Sequence, residues 1–229
     1  MINVWIATEP MQRISSLVLR HSLTRRASEP LDVKEMSGLS LGCENQFFTG
    51  FSIYRFHVPF LMGYAGKAVV MDTDIVNLSD IAELFNTPMT SAAMARRRDR
   101  KSFYTSVMLL DCEKLQHWKV VEWGPTLARN RVKYHKTMWG IPGGFSGNDL
   151  TDLNPAWNSL DDAPATAKQI HYTNLGRQPW RFQGHKDAGV FLRELKHAVE
   201  NGVITKEIVL EEEAKGHVYV GLLKDVMAS

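Results

Sequence analysis

The amino-acid sequence predicts an α/β fold built on a parallel sheet, and three observations carry that expectation. Short apolar runs of strand length, Val4 to Ala7 and Ala68 to Met71, alternate with stretches of helical periodicity. Both runs stop abruptly, at Thr8-Glu9-Pro10 and at Asp72-Thr73-Asp74. The chain, 229 residues with 44% hydrophobic, is long enough to bury one large core with a small appendage.

Val4 to Ala7 is the first strand, because proline at Pro10 cannot donate to a ladder. Ile14, Leu17, Val18 and His21 then recur on one face of a helix, with Arg13, Arg20 and Arg25 off it. Leu31 to Met36 supplies a second strand, Phe51 to Met62 a buried helix, and Ala68 to Met71 a strand covered on both faces. Asp80 with Glu83 three residues later marks a helix start that runs through Phe85. Met89 to Ala95 and Thr105 to Leu110 are further strands, and the basic stretch Arg96 to Lys101 between them reads as a solvated loop, with a mobile lid as its functional alternative.

From Gly124 to Pro164 the density of glycine, proline, asparagine and aspartate predicts irregular surface segments. Phe191, Leu195, Ala198 and Val199 restore a helical stripe ending at Asn201-Gly202, and Lys206 to Lys215 continue as a charged helix. Glu211, Glu212 and Glu213 read as its solvated face. The expected organisation is one domain over residues 1–182 and a helical appendage over 183–229.

Twenty-seven basic against 25 acidic residues leave a net charge of +2, which gives no general affinity for nucleic acid. The composition excludes a disordered, collagen-like or disulfide-stapled chain. Two cysteines, Cys43 and Cys112, without metal-type spacing predict reduced thiols in a cytoplasmic protein. No apolar run approaches the ~20 residues that span a bilayer, which leaves only peripheral membrane contact open.

Asp72 and Asp74 share a face if the chain is still extended, just past a strand's carboxyl end, where open α/β sheets bind ligands. Two carboxylates so placed can hold Mg²⁺ or Mn²⁺ against a diphosphate; the bland alternative is a turn and a helix cap. His171 ends another possible strand and leads into a loop where Gly176 permits close backbone approach and Arg177 offers a forked donor to phosphate. Trp157 and Trp180 lie near that loop and are candidates to stack on sugar rings.

Four segments together resemble the family-8 glycosyltransferases, the group of glycogenin and bacterial lipopolysaccharide sugar transferases. They are INVWIATEP, YRFHVPFLMGYAGKAVVMDTDIVNLSDIAELF, TSVMLLDCEKL and HYTNLGRQPW, and they cover most of residues 1–180. The resemblance implies a GT-A fold, a UDP-sugar donor, a carbohydrate or glycoconjugate acceptor, and transfer with retention. It further implies Mn²⁺, with Mg²⁺ as the alternative, bound by Asp72, Asp74 and His171. Ala7, Thr8 and Glu9 would meet the nucleoside, Thr73 would lie in the metal-binding turn, Arg55 would lie near the donor sugar or diphosphate, and Gly176 and Arg177 would approach the diphosphate.

The chain departs from the family pattern at four places. The spacing from His171 to Gly176 is longer, Gln178 stands in place of a lysine, Tyr104 and Ser106 replace an asparagine and a glycine, and no segment matches the acidic stretch beside the sugar. Asp149 and Asp152 lie in that general region and are the candidates for a base in an inverting reaction. Two other readings stay open: a haloacid-dehalogenase-like phosphatase with Asp72 as nucleophile and Asp161-Asp162 as later metal ligands, and a nucleotide-sugar-binding protein without transfer.

Overall fold

A computed structural model describes residues 1–43 and 50–229. In chain order its strands are β1 (Ile2–Ala7), β2 (Leu31–Met36), β3 (Lys67–Asp72), β4 (Ile75–Asn77), β5 (Ala93–Asp99), β6 (Ser102–Asp111), β7 (Leu150–Leu153), β8 (Ser159–Leu160) and β9 (Gln169–His171). Its α-helices are α1 (Arg13–Arg26), α2 (Val58–Leu61), α3 (Ile81–Phe85), α4 (Val120–Arg129), α5 (Arg131–Met138), α6 (Ala188–Glu200), α7 (Lys206–Ala214) and α8 (Leu222–Ala228).

The chain forms two compact units. The first comprises Met1–Glu9, Ser28–Asp72 and Ala82–Trp157. It holds a six-stranded sheet in the order β2-β1-β3-β6-β5-β7. β1 pairs in parallel with β2 and β3, and β5 in parallel with β7, but β6 is antiparallel to both of its neighbours. The sheet is therefore mixed and not all parallel, because only Arg100 and Lys101 separate β5 from β6, and two residues close a hairpin but cannot make a crossover. Trp5, Phe56, Val70, Met108 and Trp118 pack in one core of this unit.

The second unit comprises Pro10–Ala27, Thr73–Ile81 and Asn158–Ser229. It contains α1, the small sheet β4-β9-β8 and the helices α6, α7 and α8. Ile14 and Val18 of α1 pack with Val76, Ile170, Phe191 and Leu195, so the apolar stripe read in the sequence is the stripe that is buried. Trp180 is fully buried in the same cluster and Trp157 is buried too, which corrects the expectation of exposed sugar-stacking rings.

Three further expectations are corrected. Phe51 to Met62 is a 3-10 turn over Ser52–Phe56 followed by the single turn of α2, not one continuous helix. Arg96 to Asp99 is the end of β5 and not a loop. The segment expected to be irregular contains most of α4 and all of α5: Val120, Trp123 and Leu127 are buried at helical spacing despite Gly124-Pro125, and Asn130 caps α5 by accepting from the Lys133 amide at 2.9 Å.

Candidate functional site

Asp72 is the last residue of β3, in register with Ala7 at the end of β1. Arg55, buried in the 3-10 turn, donates from Nη2 to both Asp72 carboxylate oxygens at 2.8 Å. Its Nη1 donates to Thr105 Oγ1 at 3.1 Å, and that hydroxyl donates to the Met138 carbonyl. A guanidinium held at two ends fixes the carboxylate at the strand terminus, and a buried charge pair of this kind is costly to break from one side.

Asp74 lies two residues further on, in the turn that enters β4. β4 pairs antiparallel with β9, Ile75 opposite His171, and the Tyr172 amide donates to the Asp74 carbonyl at 2.9 Å. Backbone pairing thus brings together two side chains almost a hundred positions apart. Gln178 Nε2 donates to Asp74 Oδ2 at 3.1 Å and to the Tyr172 carbonyl at 3.2 Å. His171 Nδ1 lies 2.9 Å from Asn158 Oδ1, an atom that can only accept, so Nδ1 carries a proton and Nε2 is the nitrogen turned toward Asp74.

One ligand atom from each of Asp72, Asp74 and His171 lies within 4.8 Å of the others. His171 Nε2 stands 2.9 Å from the buried Asp74 Oδ1, the distance of an ion pair when the imidazole is protonated. The pair is bridged either by a proton, as an ion pair, or by a cation that replaces it. Adjacent donors around an octahedral Mg²⁺ at about 2.1 Å stand about 3 Å apart, which matches the 2.9 Å between His171 Nε2 and Asp74 Oδ1. An oxygen-oxygen-imidazole set whose imidazole is steadied by the Asn158 amide oxygen fits Mn²⁺ or Mg²⁺.

Of the remaining expected residues, Thr8 is buried, its amide donating to the Met36 carbonyl at 3.0 Å, and Glu9 is half-buried beside it. Thr73 is fully buried, with its hydroxyl 3.5 Å from that of Ser15. Gly176 and Arg177 are exposed on a loop organised by Asn174, which accepts from both of their amides.

Asp149 and Asp152 are not brought to Asp72. Leu150 pairs with Ala93, which pairs with Leu110, which pairs with Ala68, so Asp149 lies at the amino-terminal edge of β3 and Asp72 at the other. Asp149 Oδ2 accepts from Trp118 Nε1 at 2.7 Å and meets His117 Nε2 at 2.9 Å, and Asp152 pairs with Arg97. Sequence reading missed Thr105 and Asn158 as supports and took Gln178 only as a missing lysine. No spacing signal marks them, because each acts on a partner remote in the chain.

No protein-family profile matches the chain. It is 24% identical to Protein CDI of Arabidopsis thaliana over 234 residues, covering 85% of this chain and 86% of that protein. Among solved structures it is similar to the galactosyltransferase LgtC in complex with donor and acceptor sugar analogues, with a TM-score of 0.65 at 11% identity over 89% of this chain and 100% of that one. It is similar to the bifunctional glycosyltransferase WbbM, with a TM-score of 0.67 at 14% identity over 88% of this chain. It spans about half of WbbM, 51% of that chain. A third likeness is to the glycosyltransferase GlyE of Streptococcus pneumoniae TIGR4, TM-score 0.58 at 15% identity over 96% of this chain and 66% of that one. The mixed sheet and its neighbours give this chain the GT-A glycosyltransferase fold.

Proposed function

From a GT-A scaffold that carries an Asp-Asp-His cluster, we propose that this chain transfers a sugar from a UDP-sugar to a carbohydrate or glycoconjugate acceptor, as a family-8-like enzyme. The observation that carries the reading is the convergence of Asp72, Asp74 and His171, which each offer one ligand atom within 4.8 Å of the others. Asp72, Asp74 and His171 would hold Mn²⁺, which when bound supplies Lewis-acid neutralisation of the charge that grows on the departing diphosphate.

The chain's own residues set the rest. Gln178 holds Asp74 by Oδ2 and Asn158 holds His171 by Nδ1, so these two ligands each keep one atom directed away from the support, while Arg55 fixes Asp72 by both oxygens. Ala7 and Thr8 line the strand end beside Asp72 and are assigned the nucleoside, and exposed Arg177 is assigned a diphosphate oxygen, in place of the family's lysine. Gln178 cannot take that lysine's part, since it is buried beneath Asp74. Engagement of Asp149 with Trp118 and of Asp152 with Arg97 supports retention over an inverting reaction that needs either as a base. Cys43 and Cys112, buried and not joined in a disulfide, fit a reducing, cytoplasmic setting, and no described helix is long and apolar enough to cross a membrane.

Calorimetric titration of UDP, with and without Mn²⁺, tests the site on the native chain and on Asp74→Asn and His171→Ala. UDP should bind only with Mn²⁺, and each substitution should weaken binding by about tenfold or more. Binding indifferent to the metal and to both substitutions overturns the reading. A screen of nucleotide sugars for released UDP then separates transfer from mere binding, and release of inorganic phosphate would point to phosphatase chemistry instead.

A further inference from the structure

The basic stretch expected to be a loop is an ordered hairpin arm. Arg96 pairs with Tyr104, Arg97 with Phe103 and Asp99 with Ser102 across β5 and β6. Asp99 closes the turn by accepting from the Lys101 amide at 2.8 Å and the Ser102 hydroxyl at 2.6 Å. Because Met71 of β3 lies opposite Val107 of β6, the residues from Ser106 back to Ser102 extend past the strand end that carries Asp72. At ~3.3 Å per residue, Tyr104 lies ~7 Å beyond that level, Ser102 ~13 Å, and the Arg100-Lys101 turn one residue step farther.

The arm sorts its guanidinium groups. Arg97 lies over Phe103 at 4.7 Å and is neutralised by Asp152. Arg96 lies over the Tyr104 ring at 5.6 Å, and Arg98 lies 5.9 Å from the same ring and 3.8 Å from that of Trp139. The stripe continues along α5, where His135 meets Trp139 edge-on at 5.5 Å and accepts from Arg131 Nε at 3.3 Å. Among the described residues neither Arg98 nor Arg100 forms an ion pair, and both are exposed. A guanidinium stacked on a ring keeps its N–H fork in plane and pointing outward, which matches a carboxylate or phosphate better than a mobile lysine does.

We propose that this face binds the acceptor, and that the acceptor is a glycan bearing a carboxylate or phosphate one or two sugar units from the hydroxyl that receives the transferred sugar. The inference rests on the transferase reading above. The short reach from the arm to Asp72 favours a substrate over a remote anchor. No large apolar side chain of the hairpin is exposed, which disfavours a membrane as the occupant.

Titration of tetragalacturonate, a phosphorylated pentamannose and neutral maltotetraose into the full chain, with EDTA and no donor, tests it. At least one anionic glycan should bind with an affinity that falls as salt rises, the stronger of the two telling carboxylate from phosphate, while maltotetraose should not bind. Arg98→Gln combined with Arg100→Gln should weaken binding by about tenfold or more, and Arg98→Lys should weaken it less, with melting curves showing both variants folded. Equal binding of maltotetraose, no loss in the double variant, or attachment to phosphatidylcholine–phosphatidylserine vesicles without binding of either anionic glycan overturns the proposal. Because neither donor nor metal is present, the outcome is separate from the UDP titration. Anionic-glycan binding beside a failed UDP titration would leave the face a binding site and remove its role as the acceptor arm.

Discussion

His171 owes its readiness as a ligand to a residue thirteen positions earlier. Asn158 Oδ1 accepts from Nδ1, and this one hydrogen bond orients the ring with Nε2 toward Asp74 and, in the neutral imidazole, leaves the lone pair on Nε2. Asn158→Ala removes the acceptor, lets the ring take the other tautomer and frees it to rotate. Mn²⁺ affinity should then fall about 10- to 100-fold, the range found for supporting residues of metal sites. Asn158→Asp keeps an acceptor at the same place and should retain most of the affinity. Electron paramagnetic resonance of free Mn²⁺ measures both. Unchanged affinity in a folded Asn158→Ala variant would show that the imidazole is not held in this way.

Elements show what the sequence makes legible and what it hides. β1, α1, β3 and α6 were readable because an apolar run or stripe is a local pattern, as is the Asp72/Asp74 pair that follows β3. α4 was not, because Gly124-Pro125 outweighs the apolar spacing of Val120, Trp123 and Leu127 when neighbours are unknown. The structure supplies the reason for the glycine: a Cβ at position 124 would lie 2.1 Å from the Leu41 carbonyl oxygen. Two effects of Gly124→Ala therefore oppose each other. Helix propensity favours alanine by about 1 kcal/mol, whereas forcing a backbone carbonyl aside costs about 1–3 kcal/mol or more. A contact this short puts the cost at the upper end, so urea unfolding should show a net loss of about 1–2 kcal/mol. A gain in stability would mean that Leu41 moves aside freely. The same blindness to remote partners made the arginine stretch look like a loop, since β6 is needed to show its pairing.

At the scale of the whole molecule, the second unit is drawn from three stretches of chain, Pro10–Ala27, Thr73–Ile81 and Asn158–Ser229, and no local pattern announces that they fold together. It hides its charges accordingly. Glu212, read as part of a solvated face, is buried and bonded to Arg13, Lys215 and His217. Burial pushes Glu212 up, but those hydrogen bonds outweigh it and hold it below the usual carboxylate range; burial likewise raises Glu194, and Arg26 and Arg25 outweigh it. Burial lowers His21 despite the nearby Glu194 carboxylate, and in the first unit burial alone lowers His57. The signs agree across both units. A histidine lowered on folding is protonated first in the unfolded chain, so its stabilisation is complete above about pH 6.5 and is lost as pH falls through the folded value. A lowered glutamate contributes fully above about pH 4.3 and loses that contribution below it. Thermal melts should therefore show a first decline in Tm as pH drops from 7 toward 5 and a second below about 4.3. His57→Gln, which does not titrate, should make the first decline shallower without moving the second. A Tm that rises between pH 7 and 5 would contradict the burial of both imidazoles in their neutral form.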